Sequence, residues 1–111
     1  MGEELETKCF QLIAQAGDAK SSFIEAITQA SEGHLQEAEE RMKSGHKAFV
    51  EGHKIHAEML QHEASGKDKL EGLLVIHAED QMMSAETFEV MAEQFLNLYR
   101  RLQESRGGKE E

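Results

Sequence analysis

The chain has 111 residues, enough for one domain with a modest core, and its 12 basic and 22 acidic residues leave a formal charge of −10. Such a surface repels phosphate backbones and anionic membranes, which argues against nucleic acid or a lipid surface as partner. There is no proline, no tryptophan and one tyrosine, and good helix formers dominate, so the composition predicts an all-α fold.

The first helix is expected over about residues 3–31. Its seam reads Leu5, Cys9, Leu12, Ala16, Ala19, Phe23, Ala26 and Ala30, the alternating four-and-three spacing of one helical face. Gly17-Asp18 in its middle could bend the helix or admit a close helix contact. Cys9 falls on the seam, so packing is its expected role; as the single cysteine it excludes an internal disulfide and a cysteine zinc cage. Ser31-Glu32-Gly33 supplies a stop.

The second helix is expected over about 35–64, with the stripe Leu35, Ala38, Met42, Phe49, His53, His56 and Leu60. Gly45 and Gly52 lie on one face as two sites of close backbone approach. Ser65-Gly66-Lys67 reads as a loop and Asp68 as the N-cap of a third helix over about 69–104. The tail 105–111 has no apolar residue and is expected to fray. Helices of about thirty residues run roughly 45 Å, and short loops make them antiparallel neighbours. Helices this long in so short a chain also seek further apolar partners, so the pattern points to a homo-oligomeric bundle. No apolar run approaches the ~20 residues of a membrane span, and the acidic start Met1-Gly2-Glu3-Glu4 has no signal-peptide core. The expected setting is the cytoplasm, with no direct membrane insertion.

The third helix poses the functional question. Its seven-residue seam runs Leu70, Leu74, His77, Gln81, Ser84, Phe88, Met91, Phe95, Leu98 and Leu102. Both ends are apolar and the middle is polar, with Asp80 one turn from His77. Each large apolar side chain not buried forgoes roughly 1.5–3 kcal/mol, so something must compensate, and function is the usual candidate. A hydrogen-bonded structural histidine is the blander explanation.

Several chemistries lack their signatures. There is no phosphate-binding glycine loop, no His-Glu-x-x-His and no Glu-x-x-His of the di-iron kind. His53-x-x-His56 could supply two metal ligands, although surface histidines at this spacing are common. His77 can act without other machinery: a neutral imidazole has a free lone pair and can take a phosphoryl group reversibly. Phosphoryl transfer asks mainly for positioning and charge stabilisation.

Three stretches are distinctive: Phe10-Gln-Leu-Ile-Ala-Gln-Ala-Gly-Asp-Ala-Lys-Ser-Ser22, then His53-Lys54, then Leu73-Leu-Val-Ile-His-Ala-Glu-Asp80 running on to Tyr99-Arg-Arg-Leu102. On them the chain resembles the enzyme IIA component of the lactose/cellobiose (chitobiose) family of the bacterial sugar phosphotransferase system, over nearly its whole length. The resemblance implies a three-helix subunit assembling as a homotrimer, a nine-helix bundle. It implies that His77 takes phosphate from the histidine-containing phosphocarrier protein and passes it to a cysteine of enzyme IIB. That partner serves uptake of a β-linked disaccharide or oligosaccharide through the membrane IIC permease. It also implies that Asp80, one per subunit, meets its copies at the trimer axis around a divalent metal, magnesium (Mg2+). Where the family usually reads His-Ala-Gln-Asp-His, this chain has Glu79 and Gln81, and it has His56 where glutamine is usual. Two other readings compete: a histidine phosphotransfer domain of two-component signalling, which wants Lys-Gly soon after the histidine, and a non-catalytic helical scaffold.

Overall fold

A computed structural model describes residues 1–110, with side chains to Arg106, and holds three helices: α1, Glu3–Ser31; α2, Leu35–Ala64; and α3, Leu73–Glu110. No strand occurs among the described residues. The molecule measures 65 × 18 × 16 Å. Helices of 29, 30 and 38 residues laid end to end would far exceed that length at 1.5 Å per residue, so the chain folds back on itself twice. The all-α, three-helix expectation is met.

All eight residues of the expected α1 seam are buried. Four are alanines, which let the other helices approach closely, while Leu5, Leu12 and Phe23 supply volume. Gly45 and Gly52 of α2 meet this face as expected. A Cβ at Gly45 would lie 2.5 Å from the Phe23 ring, and one at Gly52 would lie 3.5 Å from Leu12. Gly17 differs: α1 runs through it unbroken and nothing stands within 4 Å of its Cβ position, so no close helix contact is made there within the chain.

The stop after Ser31 has the expected chemistry. Gly33 takes φ 86°, its N–H bonds to the Ala30 carbonyl, and the His34 N–H bonds to the Gln29 carbonyl at 2.9 Å. This is the Schellman pattern, which needs a left-handed residue and so favours glycine. The α2 stripe holds over Ala38, Met42 and Phe49 and then drifts. Met59 and His62 are the buried residues of its last turns, and Leu60 is exposed.

The start of α3 corrects the expected one. The helix begins at Leu73, not near Lys69, and Asp68 does not cap it. Gly72 adopts φ 96°, which interrupts any helix through it, and the Asp68 carboxylate is taken by His62 Nε2 at 3.0 Å. The bounds of α3 run to Glu110, past the expected end at Glu104; of the tail 105–111, Glu111 lies outside the described residues.

The face of α3 that packs inside the chain is also not the seam expected from spacing. Val75, Ala78, Met82, Ala85, Ala92 and Leu96 are buried against α1 and α2. The His77 seam lies on a neighbouring face: Phe88 is half-buried, and Met91, Phe95, Leu98 and Leu102 are exposed. α3 is apolar on two sides. Its small-residue stripe fits the closely packed interior, which leaves the bulkier stripe outside.

Candidate functional site

His77 stands in the second turn of α3, on the outward face, with its side chain exposed and no hydrogen-bond partner among the described residues. Its ring lone pair is therefore free. Exposed apolar side chains surround it on the helix: Leu73 at 82% exposure, Ile76 at 61% and Met83 at 69%. Asp80, one turn on, is likewise exposed and enters no hydrogen bond or ion pair among the described residues. An unpaired imidazole and an unpaired carboxylate thus share an apolar face.

The polar break in the seam has a partner on α1. Lys20 Nζ donates to Gln81 Oε1 at 2.8 Å, approaches Ser84 Oγ at 3.5 Å, and lies 5.8 Å from the centroid of the Phe88 ring. Gln81 follows His77 by four residues, hence on the same face. Sequence reasoning placed His77, Gln81, Ser84 and Asp80 together and gave Lys20 no role. The available signal was a lone lysine directly beside the buried Ala19 of the α1 seam.

The remaining histidines are engaged elsewhere. His56 Nε2 lies 2.7 Å from Glu79 Oε2, so two of the three positions that depart from the usual pattern contact each other across α2 and α3. His53 sits edge-on to Phe49, ring centroids 4.7 Å apart. His53 and His56 therefore do not converge on a shared site, and no group of three or more candidate metal ligands occurs among the described residues of one chain. His46 Nδ1 pairs with Glu89 at 2.8 Å, and Arg100 pairs with Glu39. Cys9 is buried as expected; burial above all, then the charges of Glu79 and Glu6, push its thiol pKa up, away from the reactive thiolate. No helix among the described residues is long and apolar enough to cross a membrane.

Residues 7–100 match the family described as "PTS system, Lactose/Cellobiose specific IIA subunit". The lichenan-specific phosphotransferase enzyme IIA component of Bacillus subtilis (strain 168) is 36% identical over 107 residues, covering 96% of this chain and 97% of its own. The lactose-specific EIIA component of Staphylococcus aureus (strain N315) is 30% identical over 99 residues, 89% of this chain and 96% of its own. Among solved structures, the cellobiose-specific enzyme IIA from Bacillus anthracis superposes with a TM-score of 0.86 at 37% identity, covering 93% of this chain and 94% of its own.

Proposed function

Because this chain belongs to the lactose/cellobiose-specific IIA family of the sugar phosphotransferase system, and so is a phosphotransferase component of that system, we propose that His77 is its phosphoryl carrier. The observation that carries the reading is the exposed, unpartnered imidazole on the outer face of α3. The donor is the histidine-containing phosphocarrier protein. The His77 lone pair forms an N–P bond as the donor's P–N bond breaks, its electron pair returning to the donor imidazole; water is kept out of the exchange. The same exchange then hands the group to a cysteine thiolate of enzyme IIB, which serves the IIC permease. Leu73, Ile76 and Met83 form the apolar rim against which both partners dock. The cytoplasm is the compartment where this relay runs. Relatives named for lichenan, lactose and cellobiose support a β-linked disaccharide or oligosaccharide as the transported class.

Assembly as a homotrimer belongs to the same reading. A compact monomer of this mass exposes about 6,200 Å² by the usual size scaling. This chain of 12.5 kDa exposes 7222 Å², with Val90, Met91, Phe95, Leu98 and Leu102 open on α3. Two further copies would cover that face. Asp80 fits the metal role: one free carboxylate per chain on the same face, so that three copies would supply the oxygen ligands a divalent cation of the magnesium class requires.

Phosphorylation by the general phosphocarrier mixture, with the phosphate located by mass spectrometry, tests the assignment. The wild-type chain takes one phosphate on His77, and His77→Ala folds with an unchanged melting temperature and takes none. Label persisting in that variant on His53 or His56 would overturn it.

A further inference from the structure

We propose that Lys20 of α1 is the anion-positioning residue of this site, holding the phosphoryl oxygens once His77 carries phosphate. The proposal rests on the His77 reading above.

A phosphohistidine places close to two negative charges on a protein that already carries a formal charge of −10. α3 cannot offset them. From Leu73 to Tyr99 it has no lysine or arginine, while Glu79, Asp80, Glu86, Glu89 and Glu93 are all acidic. A cation must come from another element, and Lys20 is where the fold supplies one. Among the described residues it is the one lysine or arginine of α1 or α2 that hydrogen-bonds to a side chain of α3. Its ammonium is fixed 2.8 Å from Gln81 Oε1. Gln81 lies one turn beyond His77, and long helical side chains lean toward the helix N-terminus, so the Gln81 amide leans toward the His77 turn.

The contact set suits an anion. Lys20 has three N–H donors, of which Gln81 takes one and Ser84 Oγ is a long second at 3.5 Å. A phosphoryl oxygen can take the remaining one. The Gln81 amide accepts from Lys20 through Oε1, which leaves its NH2 group free to donate to the same oxygens. The half-buried position of Lys20, Gln81 and Ser84 shields the charge from water more than a surface lysine would be. The ammonium also lies over the Phe88 ring, 5.8 Å from its centroid, a cation–π contact that helps to hold it there.

The test compares wild type with Lys20→Met, which retains the unbranched apolar stem, and with Lys20→Arg, which retains the charge. Two donors are used, the phosphocarrier protein and the small phosphodonor phosphoramidate, and the phosphorus NMR shift of the phosphoprotein is followed against pH. Lys20→Met should label about ten- to a hundredfold more slowly with both donors, the scale of one charge-assisted hydrogen bond. Its phosphoryl group should also titrate at higher pH than in wild type, because the dianion has lost its counter-charge. Lys20→Arg should recover most of both properties, and all three proteins should melt alike. Wild-type behaviour of Lys20→Met would overturn the proposal. So would a defect seen with the phosphocarrier and absent with phosphoramidate, which would make Lys20 a docking residue, or a parallel loss of melting temperature and labelling in both variants, which would make it structural. A wild-type chain that takes no phosphate would overturn the His77 assignment itself and this inference with it; a labelled wild type with an unaffected Lys20→Met removes this inference alone.

Discussion

Asp68 shows how one side chain can leave the role its position suggests. It stands in the loop between α2 and α3, where sequence alone makes it a helix cap, yet its carboxylate accepts from His62. That hydrogen bond, followed by the charge of His62, the Gly2 N–H and the N-terminal ammonium, holds its pKa below the ordinary value of 3.8 despite some desolvation. A depressed carboxylate pKa contributes stability that is present above the unfolded value and is lost as pH falls through the folded one. Asp68→Asn should therefore melt below wild type near neutral pH, and the gap should close on acidification below about pH 4. Thermal melts across that range check this; a gap unchanged at the acid end would assign Asp68 to packing instead. At the same scale, His77 was legible in the sequence because it interrupts an apolar seam at helical spacing. Lys20 was not, because its partner Gln81 lies 61 positions away and only the fold joins them. The His56–Glu79 contact was hidden for the same reason, although each member had been visible as a departure from the usual motif.

Among the helices, the buried seam of α1 was legible because its alanine-rich stripe gives the period-3.6 pattern a single solution, although Gly17 neither bends the helix nor meets a neighbour within the chain. α3 has two apolar faces, and spacing alone picked the bulkier, which the chain leaves uncovered. Its start was misplaced because Lys69 and Leu70 are acceptable helix residues, and the break is set by the left-handed Gly72. Glycines inside helices separate in the same way. Gly45→Ala gains about 1 kcal/mol of helix propensity but drives a methyl into the Phe23 ring at 2.5–3.0 Å, and overpacking of that kind costs about 1–3 kcal/mol. Phe23 is fully buried, so the overpacking should outweigh the propensity gain and the net effect should be destabilising by up to about 2 kcal/mol. Gly17→Ala meets nothing and should stabilise by about 0.5–1 kcal/mol. Denaturant unfolding of the two variants beside wild type should therefore move the midpoints in opposite directions; a shared direction would contradict the packing described for α1 and α2.

At the scale of the whole molecule, a rod 65 Å long with an uncovered apolar helix face calls for partners, and the proposed partners are two more copies. Sedimentation equilibrium at micromolar concentration should then give about three times the 12.5 kDa chain mass. A monomer there would refute the assembly. On the proposed role of Asp80, the trimer should depend on a cation. Three carboxylates brought together in a partly buried space repel unless a divalent ion neutralises them, and a ligand bound only by the assembled state stabilises it by mass action. With free cation about a hundredfold above its dissociation constant, that stabilisation is about 2.7 kcal/mol. A chelator should therefore lower the melting temperature of the wild-type trimer. Asp80→Asn removes the repulsion together with the ligand, so it should assemble without metal and show no chelator effect. His77 in that variant should still accept phosphate, because acceptance needs the imidazole, the docking rim and a cation on the Lys20 side, none of which Asp80 supplies. An intact Asp80→Asn trimer that cannot be phosphorylated would instead make the aspartate a catalytic partner of His77, one turn away on the same face.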